Sequence, residues 1–112
     1  MPLARAYVVT VTIASGQSLS GAIELGSGQL LGIFLPTFTS ASLSFQASPD
    51  GTTFGEAVDS ALAAIAIAAS TGGQYIAAPA TLHGLPFIKV RSGTSGAPVA
   101  QGADRVISLI VS

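Results

Sequence analysis

The chain has 112 residues, a formal net charge of −1, and charged residues at only 8% of positions, against about 25% in typical soluble domains. Its mean hydropathy of +0.67 is too high for a disordered chain. Four basic residues give no electrostatic footprint for nucleic acid, and the lack of cysteine excludes a disulfide framework and thiolate chemistry.

This length fits a single domain over residues 1–112, with residues 1–5 expected to form an extended N-terminal arm. So few charges leave much of the surface apolar, which predicts that copies of the chain or a larger assembly cover part of it. The alternative is that Ser, Thr, Gly and Gln solvate that surface without charge. The N-terminus lacks a signal-peptide pattern, and the longest apolar run, Ala61 to Ala69, is far shorter than the ~20 residues of a membrane span. We therefore expect a protein made in the cytoplasm that does not enter a membrane.

The first half of the chain predicts three strands separated by Gly- and Ser-rich turns. Ala6 to Ala14 alternates, with Val9, Val11 and Ile13 on one face. Leu19 to Leu25 follows as a shorter strand, in which Gly21 indicates a bulge. Gln29 to Leu35 is apolar on both faces, which predicts a central strand that ends at Pro36.

A β-hairpin is expected over Ser42 to Val58, and the rest of the chain can be laid beside it. Pro49 fixes φ at the first corner of the turn and Gly51 accepts the left-handed φ that follows, so the chain must double back there. The next segment, Ala61 to Ala69, is either a short buried helix or a strand. We favour a strand, because an uncapped nine-residue helix would be marginal.

The C-terminal third continues the succession of short strands. Strands are predicted at 74–77, 85–92 and 104–111, a helical turn or loop at 79–84, and a Gly/Ser/Pro loop at 92–103. Strand thus follows strand from end to end. The sequence predicts an all-β protein, an antiparallel β-sandwich or jelly roll of about eight strands.

No constellation of reactive side chains points to catalysis. His83 is the sole histidine, and it is expected to be a loop or surface residue. Asp50, Glu56 and Asp59 could converge as a calcium site, or could instead form a local turn and solvated side chains, which we favour. We therefore expect no enzyme, no cofactor and no metal.

Three cations offer a candidate contact patch. Lys89 and Arg91 lie two residues apart and so share one face of a strand, and Arg105 could join them; the alternative, which we favour, is a solvated strand face. Carbohydrate binding usually needs aromatic platforms, and here there is no Trp and only Tyr7 and Tyr75 among tyrosines.

Two stretches carry a resemblance to known proteins: SFQASPDGTTFGEAVDS at 44–60 and LPFIKVRSGTSGAPVAQGADRVISLIV at 85–111. They resemble small β-sandwich virion proteins of tailed bacteriophages and prophages, of the head decoration (cement) type. The hairpin and strand also resemble galactose-binding-like jelly rolls, from which this chain departs in having Phe54 where a tryptophan usually follows the turn.

The resemblance implies a capsid decoration protein that binds and stabilises the lattice of the major capsid protein as a homo-oligomer, with a trimer favoured. Its place would be the capsid surface of the virion, after synthesis in the host cytoplasm. The alternative it implies is a tail, baseplate or head-fibre module that binds host-surface carbohydrate. The N-terminal segment 1–9 and the loop 92–103 are the expected contact regions, with Arg5, Tyr7, Lys89, Arg91 and Arg105 as candidate partner contacts.

Overall fold

A computed structural model describes residues 6–25, 28–78, 82 and 84–112. Nine strands account for the regular structure of that part of the chain. They are β1 (Tyr7–Ile13), β2 (Ile23–Glu24), β3 (Leu30–Leu35), β4 (Ala41–Ser48), β5 (Gly55–Glu56), β6 (Ala66–Ser70), β7 (Gln74–Ala77), β8 (Phe87–Ser92) and β9 (Arg105–Val111).

The strands form two antiparallel sheets. One has the order β1-β9-β3-β7, and the other has the order β2-β8-β4 with β5 and β6 both paired along the far edge of β4. The predicted all-β sandwich is therefore confirmed. Nine strands replace the expected eight because β5 and β6 divide one edge position between them.

The pairing follows the plan of a jelly roll. β1 pairs with β9, β2 with β8, β3 with β7, and β4 with β5 and β6, so the returning half of the chain retraces the outgoing half. Two further pairings, β3 with β9 and β4 with β8, roll this long hairpin into two sheets. The predicted hairpin turn between β4 and β5 is thus the tip of the whole structure.

Side-chain hydrogen bonds hold this tip. The Ser48 hydroxyl accepts hydrogen bonds from the backbone N–H groups of Asp50 and Gly51, at 3.2 and 2.9 Å. The Asp50 carboxylate accepts from the N–H groups of Thr52 and Thr53, at 2.8 and 3.0 Å. Gly51 has a φ of 79°, as a turn at Pro49-Asp50-Gly51 requires.

The core lies between the inner faces of the two sheets. The alternation predicted for the first strand is confirmed, because Val11 and Ile13 of β1 are buried and the partly buried Val9 packs against the core. Burying an aliphatic or aromatic side chain contributes about 1.5–3 kcal/mol, so this layer is the main source of stability. The largest fully buried apolar side chains are Phe45, Ile13, Leu30, Ile33, Leu35, Leu43, Leu82, Ile88, Ile107, Leu109 and Val90.

The second strand is much shorter than the predicted Leu19 to Leu25. At Ser20 the backbone N–H donates to the carbonyl of Val90, but it is the Ser20 hydroxyl, not a carbonyl, that accepts from the Val90 N–H, at 2.9 Å. The side-chain acceptor interrupts the ladder of backbone hydrogen bonds beside β8. Regular pairing resumes only at Ile23.

The Ala61 to Ala69 segment divides into a turn and a strand. The Asp59 carboxylate accepts the N–H groups of Ala61 and Ala63, and Leu62 takes a φ of 63° between them. The strand begins only at Ala66, so the preference for a strand over a helix is confirmed for Ala66–Ser70. The short strand predicted at 74–77 is found with the same bounds.

Some predicted features lie outside the described residues. These are the N-terminal arm at 1–5, most of the helical turn at 79–84, and His83. Within the described part of the chain, no helix is long and apolar enough to cross a membrane.

Candidate functional site

The outer face of the four-stranded sheet is apolar and exposed. Val8 of β1 and Val106 of β9 are 60% and 52% exposed, and Phe34 of β3 and Tyr75 of β7 are 47% and 57% exposed. We call the surface formed by Val8, Phe34, Tyr75, Val106 and the half-buried Ile110 the apolar face. Val8 lies opposite Ile110, Ile110 lies opposite Gly32, and Gly32 is covered by Tyr75, which lies opposite Phe34, so strand register joins these four side chains. Val106 lies beyond Ser108 at one end of the face.

No charged side chain interrupts the apolar face within these four strands. Thr10 and Thr12 share the outer face of β1 with Val8, and Ser108 separates Val106 from Ile110 on β9. Arg105 is the one charged residue in the four strands. It stands at the first position of β9, opposite the buried Ile13, and so belongs to the inward register.

A close contact between β3 and β7 orders the centre of this face. Gly32 lies opposite Ala77, beside the Phe34–Tyr75 pair, and the Tyr75 ring lies over Gly32 so closely that a Cβ there would collide with it. The glycine therefore allows the tyrosine to lie along the sheet. An aromatic ring that covers a strand glycine also shields the backbone at that point.

The outer face of the five-stranded sheet is polar and centres on Arg91. Its guanidinium group binds both carboxylate oxygens of Glu56, with N–O distances of 2.6 and 2.5 Å. Its Nε donates to the Ser44 hydroxyl at 2.9 Å, and that hydroxyl donates to the Gly93 carbonyl at 2.7 Å. Arg91 is 6% exposed, so this cation is buried within a structural network of hydrogen bonds.

This network shifts the pKa values of both Glu56 and Arg91. Hydrogen bonding from Arg91 lowers the pKa of the Glu56 carboxyl below its usual range, despite some opposing desolvation. The same hydrogen bonds raise the pKa of Arg91. Both shifts favour the charged pair.

The predicted contact residues are dispersed over the molecule. Arg5 lies outside the described residues, and Tyr7 is the exposed first residue of β1. Lys89 shares the outer face of β8 with Arg91, as predicted, and its Nζ lies 4.5 Å from the centre of the Phe54 ring. That these residues contact a partner stays a prediction.

The proposed patch of Lys89, Arg91 and Arg105 is wrong as a single surface. Arg105 belongs to the other sheet, where its guanidinium donates to the side-chain oxygens of Gln101 and Thr39 at 3.1 and 3.3 Å. Arg91 is buried against Glu56. Of these three cations, Lys89 alone lies in the five-stranded sheet outside the ion pair.

The predicted contact loop 92–103 is anchored at both ends. The N–H of Gly93 donates to the carbonyl of Ser42, and the N–H of Val99 donates to that of Ser92. At the other end the buried Gln101 side chain accepts from the N–H of Thr39 at 2.8 Å and donates to its carbonyl at 3.2 Å. The turn at 95–98 is exposed, as are residues 100, 102 and 103 on either side of the buried Gln101.

The three carboxylates considered for calcium do not converge. Asp50 accepts backbone N–H groups of its own turn, as the favoured alternative predicts. The solvated state expected for the other two is wrong, because Asp59 also accepts N–H groups of its own turn and Glu56 binds Arg91. Within the described ranges, no group of three or more His, Cys, Asp or Glu side chains could hold a metal ion. No cavity is found among the same residues.

Sequence reasoning missed the apolar face, although the signal was present. Both faces of β3 are apolar, and this was interpreted as the mark of a central strand. The position is confirmed, because β3 lies between β9 and β7. However, its second face is open where Phe34 emerges, so the double-sided apolar pattern indicates a contact surface as well.

The sequence matches no family model and no curated protein. The fold is similar to the crystal structure of the SPBc2 prophage-derived protein YomS, with a TM-score of 0.60 and 15% identity over 100% of this chain and 99% of that one. The Yersinia pseudotuberculosis-derived mitogen (YPM) aligns with a TM-score of 0.43 and 16% identity over 98% of this chain and 86% of that one. At these identities the likeness to YomS shows the fold alone.

Proposed function

We propose that the chain is a structural virion protein of a tailed bacteriophage, a capsid decoration (cement) protein that binds and stabilises the lattice of the major capsid protein. The apolar face is the observation that carries this proposal. Contiguous exposed apolar surface of this kind marks interaction sites, because water leaves it at a gain in free energy when a partner covers it.

The face would act by contact and without chemistry. Each copy would lie across neighbouring capsid subunits, and the interface it adds must be broken before the shell can open. An uncharged face suits a permanent lattice position, since obligate interfaces are more hydrophobic than transient ones. The protein would be made in the host cytoplasm and function on the capsid surface of the virion, without enzymatic activity.

Two further points support a phage origin. YomS, a solved structure that aligns over the whole length of this chain, is described as prophage-derived. The hairpin at 44–60 and the strand and loop at 85–111 resemble small virion proteins of tailed phages. Both agree with a compact block that presents surface.

A second candidate follows from the aromatic pair on the apolar face. Phe34 and Tyr75 lie opposite each other on neighbouring strands and are both about half exposed. Aromatic rings pack against the apolar faces of sugars, which favours a tail, baseplate or head-fibre module that binds host-surface carbohydrate. A glycan array tests this function: ligands that bind the chain and are lost in Tyr75→Ala would support it.

Deletion of the gene from the phage or prophage that encodes it tests the capsid role. We expect wild-type virions to contain the chain. Virions from the deletion should assemble but release their DNA at a lower temperature, and complementation should restore the wild-type release temperature. Wild-type virions without the chain, or deletion virions of unchanged heat stability, would contradict the proposal.

A further inference from the structure

The four sheet edges of the sandwich differ in how they are protected. Natural proteins keep edge strands from pairing with other chains by making them short, by placing charges, Pro or bulges on them, or by covering them. β2 and β5 have two residues each and carry Glu24 and Glu56. β7 has four residues and β6 has five, and β6 pairs with β4 through a register shift.

β1 has none of these protections among the described residues. It is seven residues long, YVVTVTI, with no charge, no Pro and no Gly. It pairs with β9 without a bulge from Tyr7–Val111 to Ile13–Arg105, and no described strand pairs with its other edge. In an antiparallel ladder, alternate residues direct their N–H and C=O groups to one side, so about half of the β1 backbone groups face outward.

The sequence of β1 is complementary to itself in antiparallel pairing. If two copies meet around a twofold axis at the central Thr10, Thr10 lies opposite Thr10 and Tyr7 opposite Ile13. Threonine pairs and aromatic–β-branched pairs are among the favourable cross-strand contacts. Val8 then lies opposite Thr12 and Val9 opposite Val11, so every residue keeps its side of the sheet.

We propose that β1 is a self-association edge, through which two copies of the chain form an isologous dimer by antiparallel β1–β1 pairing. The two four-stranded sheets join into one sheet of eight strands, and the two apolar faces become one continuous surface. The pairing uses both open β1 edges, so it closes at two copies and does not propagate.

This inference concerns the association of the chain with itself and does not rest on capsid binding. It differs from the trimer that the resemblance to decoration proteins implies. The mass of the purified chain separates the two, because a dimer has about twice and a trimer about three times the 11.0 kDa of one copy.

The first test compares one substitution at two opposite edges of the same sheet. Thr10→Lys places like charges directly opposite each other at the twofold axis, whereas Ala77→Lys adds the same charge to the exposed outer face of β7. Light scattering after size exclusion should show a dimer for the wild type and for Ala77→Lys, and a monomer for Thr10→Lys. A monomeric wild type, a trimer, or a Thr10→Lys variant that stays dimeric would overturn the proposal.

The second test uses the absence of native cysteine. Directly opposed residues in an antiparallel pair have Cβ atoms about 4.5–5.5 Å apart, so Thr10→Cys should form a disulfide-linked dimer on mild oxidation. Val8→Cys and Thr12→Cys should crosslink only when the two variants are mixed, because each faces the other in this register. Failure of Thr10→Cys to crosslink, together with crosslinking of Ala77→Cys, would place the interface at the other edge.

Discussion

At the residue scale, Arg91 and Glu56 form the most consequential polar contact. They are 35 residues apart in sequence and lie on β8 and β5, which do not pair with each other but flank β4. The pair therefore ties the short β5 segment across β4 to the centre of the sheet. Arg91 is nearly buried, so loss of its partner would leave a desolvated charge with only the Ser44 hydrogen bond.

We predict that Glu56→Gln lowers the free energy of unfolding by about 1–3 kcal/mol, because two charge-assisted hydrogen bonds are weakened. Urea unfolding measures the change. The matched control is Glu24→Gln, an exposed carboxylate on β2 of the same sheet, which should change stability by less than about 0.5 kcal/mol. Equal effects of the two substitutions would show that the ion pair contributes nothing.

The pKa of Glu56 gives a pH dependence of definite sign. Because the pKa of its carboxyl is lower in the folded state than its ordinary value of 4.5, its contribution is fully present above that pH and is lost as the pH falls through the folded value. The pKa of Asp50 is also lowered, mainly by the hydrogen bond from the N–H of Thr53. Asp50 therefore changes the free energy of unfolding with pH in the same direction as Glu56.

We therefore predict that the free energy of unfolding of the wild type falls as the pH is lowered from about 5 to 3. Glu56→Gln should show a shallower fall, with a remaining slope that arises from Asp50. Urea titrations at several pH values measure both curves. Parallel curves for the two proteins would contradict the assignment.

Residue-level prediction from the sequence reaches only as far as strand alternation. The shared face of Lys89 and Arg91 follows from their spacing and is confirmed. The partner of Arg91 could not be inferred, because it depends on β4 bringing β5 and β8 within reach. Arg105 was misplaced for the same reason: the choice of sheet is set by long-range pairing and not by local pattern.

At the element scale, the contact of β3 with β7 fixes one side of the four-stranded sheet. Their register places Phe34 opposite Tyr75, and the Tyr75 ring covers Gly32. At the level of Gly32, each of the other three strands of this sheet has a residue with a side chain, whereas β3 has a glycine. The tyrosine thus fills that position from the neighbouring strand.

We predict that Gly32→Ala destabilises the fold by about 1 kcal/mol, at the low end for overpacking, because the new methyl group displaces the Tyr75 ring, whose exposed end can move toward solvent. The penalty should largely disappear in a Tyr75→Ala background, and a double-mutant cycle on unfolding free energies measures this coupling. Gly55→Ala is the control, since a Cβ on that strand residue meets nothing within 4 Å. Additive effects of Gly32→Ala and Tyr75→Ala would contradict the contact.

Strands were predictable where apolar alternation is uninterrupted, as in β1, β4, β8 and β9. Boundaries failed where side chains compete with the backbone ladder. Ser20 replaces a carbonyl with its hydroxyl and shortens β2, and Asp59 captures two N–H groups and delays β6 to Ala66. Such side-chain hydrogen bonds depend on neighbours in three dimensions, so periodicity alone does not reveal them.

At the scale of the whole molecule, the low charge content accounts for the apolar residues on the outer surface of the jelly roll. A sandwich of this size buries one face of each sheet, and the remaining apolar residues must appear on an outer surface. Val8, Phe34, Tyr75 and Val106 lie on the outer face of the four-stranded sheet, whereas Val58 and Leu62 are exposed outside it. The ion pair and Lys89 occupy the outer face of the other sheet. The composition predicted a covered surface; its location required the sheet order.

This division gives the molecule two unlike sides. The proposed dimer would extend the apolar side without using it, because its contacts lie at the β1 edge. The polar side would remain toward solvent. This arrangement suits the proposed decoration role, in which one side would contact the lattice and the other the surrounding water.

The most direct test of the account is co-sedimentation of the purified chain with capsids of the encoding phage that lack it. Two matched variants replace exposed valines: Val106→Glu on the apolar face and Val58→Glu outside it, at 52% and 40% exposure. We predict that the wild type and Val58→Glu sediment with the capsids and that Val106→Glu stays in the supernatant while remaining folded. Absence of wild-type binding, or equal binding of all three proteins, would contradict the central claim that the apolar face is the contact surface.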